Sequence, residues 1–152
     1  MFKMMRKRKA KGFTLVELLI VMVIIGILAG AMLLVMGSGK DKANATKIVS
    51  DMRSLKAAAL MYYSDNNSWP SQISDLNDYM DRQIPASSDL AVYTVASGDG
   101  IYFIEAELQS PADGLKSRLA DMATESGLYE SASSSDAAYS GSDNTLFVRL
   151  GS

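Results

Sequence analysis

The stretch Lys11-Gly12-Phe13-Thr14-Leu15-Val16-Glu17 decides how the rest of this 152-residue chain is organised. It leads into nineteen residues, 18–36, that contain no charge and no proline. As a helix with ~1.5 Å rise per residue, this segment is about 28 Å long, close to the thickness of a bilayer core. Its Leu, Ile and Val residues favour membrane insertion by roughly 4 to 7 kcal/mol. Placing one carboxylate deep in the membrane costs ~3 kcal/mol. The sequence therefore predicts a membrane-spanning helix that tolerates Glu17.

Glu17 needs an explanation, because a lone carboxylate in a membrane helix is costly without a partner. The nearest cation in the sequence is Lys11. A cut after Gly12 would remove Lys11 and create a new cation, the α-amino group of Phe13, about one helical turn from Glu17. Two interpretations follow. Glu17 pairs with such an amine, within one chain or between neighbouring chains, or it complements the helix dipole at the helix start.

Residues 12–21, Gly-Phe-Thr-Leu-Val-Glu-Leu-Leu-Ile-Val, follow a short basic leader. This arrangement closely resembles the class III signal of type IV pilins and of the pseudopilins of type II secretion and competence systems. In that family a membrane peptidase cuts after the glycine and methylates the new N-terminal residue. The resemblance implies a cut after Gly12, a methylated Phe13, and a Glu17 that positions each subunit against its neighbour in a filament. Thr14 belongs to the same assembly motif.

An ordinary secretory signal is the alternative for this region, since Ala29-Gly30-Ala31 has the small residues and spacing of a signal-peptidase site. Glu17 argues against it, because a carboxylate would lie inside the apolar part of the signal. Cleavage after Ala31 would also leave an apolar tag on the exported product. The corresponding alternative function is a membrane-anchored or exported domain that binds a ligand.

Charge predicts on which side of the membrane the rest of the chain lies. Six of the 15 Lys and Arg residues precede Phe13, and the remainder carries 9 basic and 17 acidic side chains, a net charge of −8. Because basic flanks stay in the cytoplasm, the acidic remainder is expected outside. An acidic surface disfavours nonspecific nucleic-acid binding. The sequence has neither cysteine nor histidine, so thiol or histidine catalysis is excluded, and we expect no enzymatic activity.

The chain is expected to have three parts. These are a leader at residues 1–12, a transmembrane or filament-core helix at 13–36, and a periplasmic or extracellular head at 37–152. Gly26 and Gly30 lie on one face of the helix and are predicted to allow close packing in an assembly. Many major pilins carry a proline farther along this helix, where related helices partly unwind in the filament. Leu34 occupies that region here, so the sequence does not decide between a continuous and a partly unwound helix.

Gly37-Ser38-Gly39 predicts a break, after which residues 41–63 predict a second helix that packs on the head. Its apolar stripe consists of Ile48, Met52, Leu55, Ala59 and Tyr62. Off the stripe we expect Lys47, Asp51, Arg53 and Lys56. Farther along, Trp69 is predicted to anchor the core and Ser71 to cap a short helix ending near residue 80.

The remaining pattern predicts strands at 90–95, 101–108 and 145–150, and a helix from 115 to about 127. A hairpin turn is expected at Gly98-Asp99-Gly100. The predicted fold class is α+β: a long N-terminal helix packed on a small antiparallel sheet, the pilin head in outline.

Residues 131–144 are small and polar, which predicts a long surface loop. Major pseudopilins carry a C-terminal calcium site, and the resemblance makes Asp136, Asp143 and Asn144 weak candidate ligands, although their spacing does not match an EF-hand loop. No other cofactor is expected. The partners implied are further copies of the chain in a filament, prepilin peptidase, the inner-membrane assembly machinery, minor pilins, and the membrane before assembly. A surface pilus and a periplasmic pseudopilus, in secretion or competence, both stay open.

Overall fold

The computed structural model describes residues 12–109, 112–133 and 137–152. The chain divides into two compact units, Met1–Gly37 and Ser38–Ser152, and we call the second unit the head. In chain order the elements are α1 (Leu15–Asn66), a 3-10 helix (Ile73–Tyr79), β1 (Ala91–Gly98), β2 (Ile101–Leu108), α2 (Asp113–Ser126), β3 (Leu128–Tyr129) and β4 (Thr145–Gly151).

Helix α1 runs without interruption through Gly37-Ser38-Gly39, so the predicted break there is wrong. Glycine costs only ~1 kcal/mol inside a helix and serine less, whereas the residue that ends helices most strongly, proline, is absent from all of α1. The helix ends at Asn66 because Asn67 takes a left-handed conformation with φ of 51°. The Asn67 N–H then donates to the carbonyl of Tyr63 at 2.8 Å.

In the first unit, Leu15–Leu33 is the one segment of the described chain that is long and apolar enough to cross a membrane. Its mean hydropathy is 2.7, and none of it is buried inside the molecule. A Cβ atom added at Gly26 or Gly30 would meet nothing within 4 Å. Apart from Glu17 near its start, this helix therefore presents an apolar surface that is not buried inside the molecule.

The sheet of the head is antiparallel and has the strand order β1-β2-β4-β3. As predicted, β1 and β2 form a hairpin, in which Gly98 pairs with Ile101 across a two-residue turn. Both turn residues have positive φ, 52° at Asp99 and 76° at Gly100, as such tight hairpin turns require. The two-residue strand β3 was missed, because a run that short has no readable periodicity.

The main core lies where α1 and α2 pack against one face of the sheet. Four of the five predicted stripe residues of α1 are completely buried, and Tyr62 packs at the edge. Trp69 is the predicted anchor: its ring stacks on Tyr63 and on Tyr102, with centroid distances of 4.4 and 5.9 Å. Ser71 does not cap the following helix, because Gln72 is the N-cap and Asp75 accepts the local backbone N–H groups.

The opposite face of the sheet is also partly covered. Phe103 is fully buried there and meets the edge of Phe147. The chain after β3 crosses toward β1, where the carbonyl of Ala132 lies against Gly98. We call residues 130–133 and 137–139 the strap. A Cβ on Gly98 would lie 1.9 Å from that carbonyl oxygen, so this contact requires glycine.

Candidate functional site

Thr14 and Glu17 form a reciprocal hydrogen-bonded cap at the start of α1. The backbone N–H and the hydroxyl of Thr14 donate to Oε2 of Glu17 at 2.8 and 2.7 Å, and the backbone N–H of Glu17 donates to the Thr14 hydroxyl at 3.2 Å. This is a capping box, in which residues three apart satisfy N–H groups that the helix leaves without partners. The spacing Thr-x-x-Glu identifies such a box in a sequence, but we had predicted a charge role for Glu17 only.

Gly12 and Phe13 precede the helix and are open. Phe13 is 84% exposed, and a Cβ on Gly12 would meet nothing within 4 Å. The Phe13 nitrogen is one residue before the Thr14 nitrogen, which is 2.8 Å from Glu17. Because neighbouring backbone nitrogens lie within about 3.8 Å of each other, an amine created at Phe13 would lie at most about 6.6 Å from the carboxylate. Within one chain, Glu17 can therefore both complement the dipole at the helix start and pair with an N-terminal amine.

Asp51 was predicted to lie off the buried stripe, and this is wrong: the residue is only 4% exposed. One oxygen accepts from the Arg82 guanidinium at 2.6 Å, and the other accepts from the hydroxyl of Tyr93 at 3.3 Å. Burial, and then the Asp51 charge, raise the pKa of Tyr93 far above its usual range. These contacts tie α1 to β1 and to the segment before β1, which positions the head around α1.

Of the C-terminal calcium candidates, Asn144 has a protein partner for its side chain, and Asp143 has one for its backbone carbonyl. Asp136 lies outside the described residues. Asn144 offers its Oδ1 to the ammonium group of Lys116 at 3.4 Å, and that group also donates to the carbonyl of Ser142 at 3.3 Å. The carbonyl of Asp143 accepts from the Tyr139 hydroxyl at 2.6 Å. Among the described residues there is no group of three or more carboxylates that would hold a metal ion.

The described part of the predicted surface loop, residues 131–133 and 137–144, is anchored more firmly than its composition indicated. Tyr139 is buried, and Ala138 forms a β-bridge with Tyr129. Burial raises the pKa of Tyr139 to about 12. Glu130 accepts hydrogen bonds from the hydroxyls of Ser142 and Ser140, which lower the pKa of its carboxyl group. A tyrosine inside a serine-rich run was the signal that this loop has an anchor.

Comparison with known proteins shows which families this chain is similar to. Residues 7–33 match the family described as "Prokaryotic N-terminal methylation motif", and residues 40–114 match the family "PilW, C-terminal". The fold is similar to that of the major type IV pilin PilA1 from Clostridium difficile, with a TM-score of 0.57 over 76% of this chain and 99% of that one. Sequence identity to PilA1 is 21%, so this likeness concerns the fold alone.

Relatives with closer sequences are proteins named type II secretion system core protein G. The protein from Klebsiella michiganensis is 44% identical over 66 residues, and that from Aeromonas hydrophila is 46% identical over 66 residues. Each match covers 43% of this chain and 46% of the relative, so the chain spans less than half the length of these curated relatives. The chain thus matches the N-terminal methylation motif, and it is similar to type II secretion core proteins G in sequence and to a type IV pilin in fold.

Proposed function

We propose that this protein is a structural subunit of a pseudopilus or type IV pilus filament. One observation carries the proposal: a Thr14–Glu17 cap stands at the head of a 19-residue apolar helix that the molecule leaves uncovered. The match to the methylation motif over residues 7–33 includes this segment. A filament core made of such helices gives the apolar surface a partner once the subunit leaves the bilayer.

Processing follows from the same segment. Residues 1–12 are the leader, which prepilin peptidase removes after Gly12, and Phe13 becomes the methylated N-terminus. Residues 13–36 then form the membrane and filament-core helix, and residues 37–152 form the head outside the inner membrane. The exposed position of Gly12 and Phe13 ahead of the helix supports access by a peptidase.

Glu17 has two successive roles in this scheme. In the precursor its carboxylate is satisfied by Thr14, which lowers the cost of keeping a charge near the bilayer. After cleavage it neutralises an N-terminal amine, in its own chain or in a neighbour. An unpaired buried charge costs ~3–5 kcal/mol, so this pairing selects one arrangement of subunits over shifted ones.

The names of the relatives favour a pseudopilus of the type II secretion class over a surface pilus. Their shared name, core protein G, describes a component of that secretion system. The proposed partners are further copies of this chain, minor pseudopilins and the inner-membrane assembly machinery. The subunit is then stored in the inner membrane and assembled into a periplasmic filament.

Two substitutions at Glu17 test the proposal. Glu17→Ala removes both the cap and the charge, whereas Glu17→Gln keeps an acceptor for Thr14 and removes only the charge. We expect both precursors to be cut normally, and both to lose assembly in a filament-shearing assay on native cells. Normal assembly of Glu17→Gln would refute the charge-pairing role.

The proposed cut has its own test. Gly12→Val places a side chain where the chain has open space, so it leaves the fold unchanged. We expect this variant to accumulate as the uncut precursor on immunoblots, whereas Gly26→Val, also in open space, is cut at the normal rate. Equal processing of the two variants would contradict cleavage after Gly12.

A further inference from the structure

A hollow in the head lies between α1, the segment just before β1, the end of β2 and the start of α2. Its cavity volume is about 660 Å³, within the ~300–1,000 Å³ range of small-molecule sites. We call it the charged hollow, because two lysines and two aspartates line it: Lys40, Asp41, Lys47 and Asp89. Asn44 and Gln109 add amide groups to the same lining.

The four charged side chains of the charged hollow are available to a ligand. In the part of the chain that the structure describes, none of the four forms an ion pair or a hydrogen bond. Lys47 also lines a neighbouring hollow, where Asp51 and Arg82 are already paired with each other and Lys42 is the remaining charge. The charged hollow therefore faces a ligand with two cations and two anions, and Lys42 adds a cation beside them.

The start of α2 holds the carboxylate of Asp41 at the wall of the charged hollow. A Cβ atom on Gly114 would lie 2.1 Å from Oδ2 of Asp41, so the carboxylate occupies space that glycine leaves open. The first turn of a helix also favours a negative charge beside it. On α1, Lys40, Asn44 and Lys47 follow one another at intervals of four and three residues, so they share one face of the helix. The lining therefore sets a fixed carboxylate beside a row of two ammonium groups and an amide.

The charged hollow begins where the chain leaves its apolar segment. Lys40 is the first charged residue after the uncharged run 18–36, four residues beyond its end. Four residues span at most ~14 Å even when extended, and headgroups add about 5–8 Å on each side of the hydrocarbon core of a bilayer. The long stem of a lysine can lie along apolar surface while its ammonium group stays among the headgroups. In a membrane-spanning precursor, Lys40 therefore lies within reach of the lipid headgroups.

We infer that the charged hollow binds the headgroup of a phospholipid that carries both a phosphate and a primary ammonium group, the phosphatidylethanolamine class. This inference rests on the membrane stage of the proposed function. Lys40 and Lys47 donate hydrogen bonds to the phosphate, and Asp41 and Asp89 accept hydrogen bonds from the ammonium group of the lipid. Such charge-assisted hydrogen bonds are the strong ones.

The mixture of charges selects this class of lipid. Phosphatidylglycerol brings a phosphate and no cation, so it would leave Asp41 and Asp89 unpaired beside a further negative charge. Phosphatidylcholine brings a cation without N–H groups, which cannot donate a hydrogen bond to a carboxylate. A primary ammonium group has several N–H donors and satisfies both carboxylates. Bound in this way, the headgroup holds the subunit in the membrane until the subunit enters the filament.

Native mass spectrometry of the full chain in detergent tests the inference. The chain is mixed with equal amounts of phosphatidylethanolamine, phosphatidylglycerol and phosphatidylcholine with the same acyl chains, and the bound lipids are identified by mass. We expect about fivefold or more phosphatidylethanolamine over each of the other two, the effect of one well-formed exposed ion pair. Equal binding of the three lipids, or a preference for phosphatidylglycerol, would overturn the inference. In a separate arm without lipid, O-phosphoethanolamine that binds as tightly as the lipid would show a site for a soluble ligand and also overturn it.

Removing the two carboxylates tests which residues set the preference. Asp41→Asn with Asp89→Asn should bind phosphatidylglycerol at least as well as phosphatidylethanolamine, because the groups that disfavour the anionic lipid are gone. The matched control is Asp65→Asn with Asp78→Asn, two exposed aspartates outside the charged hollow, and it should keep the preference. An unchanged preference in the first pair would overturn the inference.

Removing the two ammonium groups tests the phosphate contact. Lys40→Gln with Lys47→Gln should lose most of the bound phosphatidylethanolamine, whereas Arg53→Gln with Lys56→Gln, which removes two cations of α1 outside the charged hollow, should not. Equal retention of the lipid by both pairs would contradict the inference. The urea midpoint, followed by the fluorescence of Trp69, should be the same for both pairs, which separates a lost ligand contact from a lost fold.

The lipid measurement needs no filament, so this inference and the proposed function fail separately. A chain that assembles in its native cell but binds the three lipids equally loses the inference and keeps the proposed function. A chain that prefers phosphatidylethanolamine but forms no filament in its native cell keeps the lipid site and loses the proposed function.

Discussion

Removing the Arg82 side chain tests the buried carboxylate that joins three parts of the head. The Asp51 side chain is 6% exposed, whereas that of Arg82 is 61% exposed. Arg82→Met therefore removes the cationic partner of a nearly buried carboxylate and leaves it, among the described residues, the hydrogen bond from the Tyr93 hydroxyl. Breaking a fully buried ion pair from one side costs ~3–5 kcal/mol, and the remaining solvent contact lowers this to about 2–4 kcal/mol.

Asp51→Ala should cost less. The exposed Arg82 guanidinium is then hydrated, and the main loss is the acceptor of the Tyr93 hydroxyl, worth ~1–3 kcal/mol. Adding Asp51→Asn to Arg82→Met removes the stranded charge, so we expect the double variant to be more stable than Arg82→Met alone. This ordering distinguishes an unpaired buried charge from a simple loss of contacts.

Urea unfolding of the processed chain in detergent measures these differences. Trp69 is the single tryptophan and lies in the head, so its fluorescence reports head unfolding. With a slope of ~1–3 kcal/mol per molar urea, a loss of 3 kcal/mol shifts the midpoint by about 1 M or more. A cost below about 1 kcal/mol for Arg82→Met, or a double variant no more stable than Arg82→Met, would refute the reasoning.

Three further predictions concern the head. Gly98→Ala forces a Cβ against a carbonyl of the strap, so we expect increased proteolysis of the strap, whereas Gly26→Ala has no effect; equal digestion would contradict the contact. Burial raises the pKa values of Tyr93 and Tyr139 above those of the unfolded chain, so the stability that they contribute is complete below pH ~10 and falls as the pH rises further. Tyrosinate absorbance should show that Tyr93 and Tyr139 ionise only well above pH ~10, and ionisation of these two near pH 10 in the folded head would disprove this. Lys116→Met should increase hydrogen exchange in residues 140–144 whereas Arg118→Met does not, and unchanged exchange would show that the ammonium group does not hold the loop.

Features that depend on local sequence were predictable. The apolar helix, the stripe on α1 and the β1–β2 hairpin each follow from a period or a turn signal within about twenty residues. The end of α2 also follows from local sequence. Gly127 takes a left-handed conformation there, and its N–H donates to a carbonyl of the last turn. The candidate processing segment was equally visible, because its residues are consecutive.

Features that depend on residues far apart in the sequence were not predictable. Asp51 reads as a surface residue until the fold brings Arg82 and Tyr93, 31 and 42 positions away, to its carboxylate. Lys116 and the loop before β4 are brought together in the same way. The predicted break at residues 37–39 shows the opposite error, since weak helix formers were given too much weight within a long run of strong ones.

The most direct test of the central claim is the intact mass and N-terminal peptide of this chain in filaments sheared from its native cell. The account predicts a chain that begins at Phe13 and carries one additional methyl group. A chain that begins at Met32, or an uncut chain beginning at Met1, would contradict it and leave Glu17 without its proposed role.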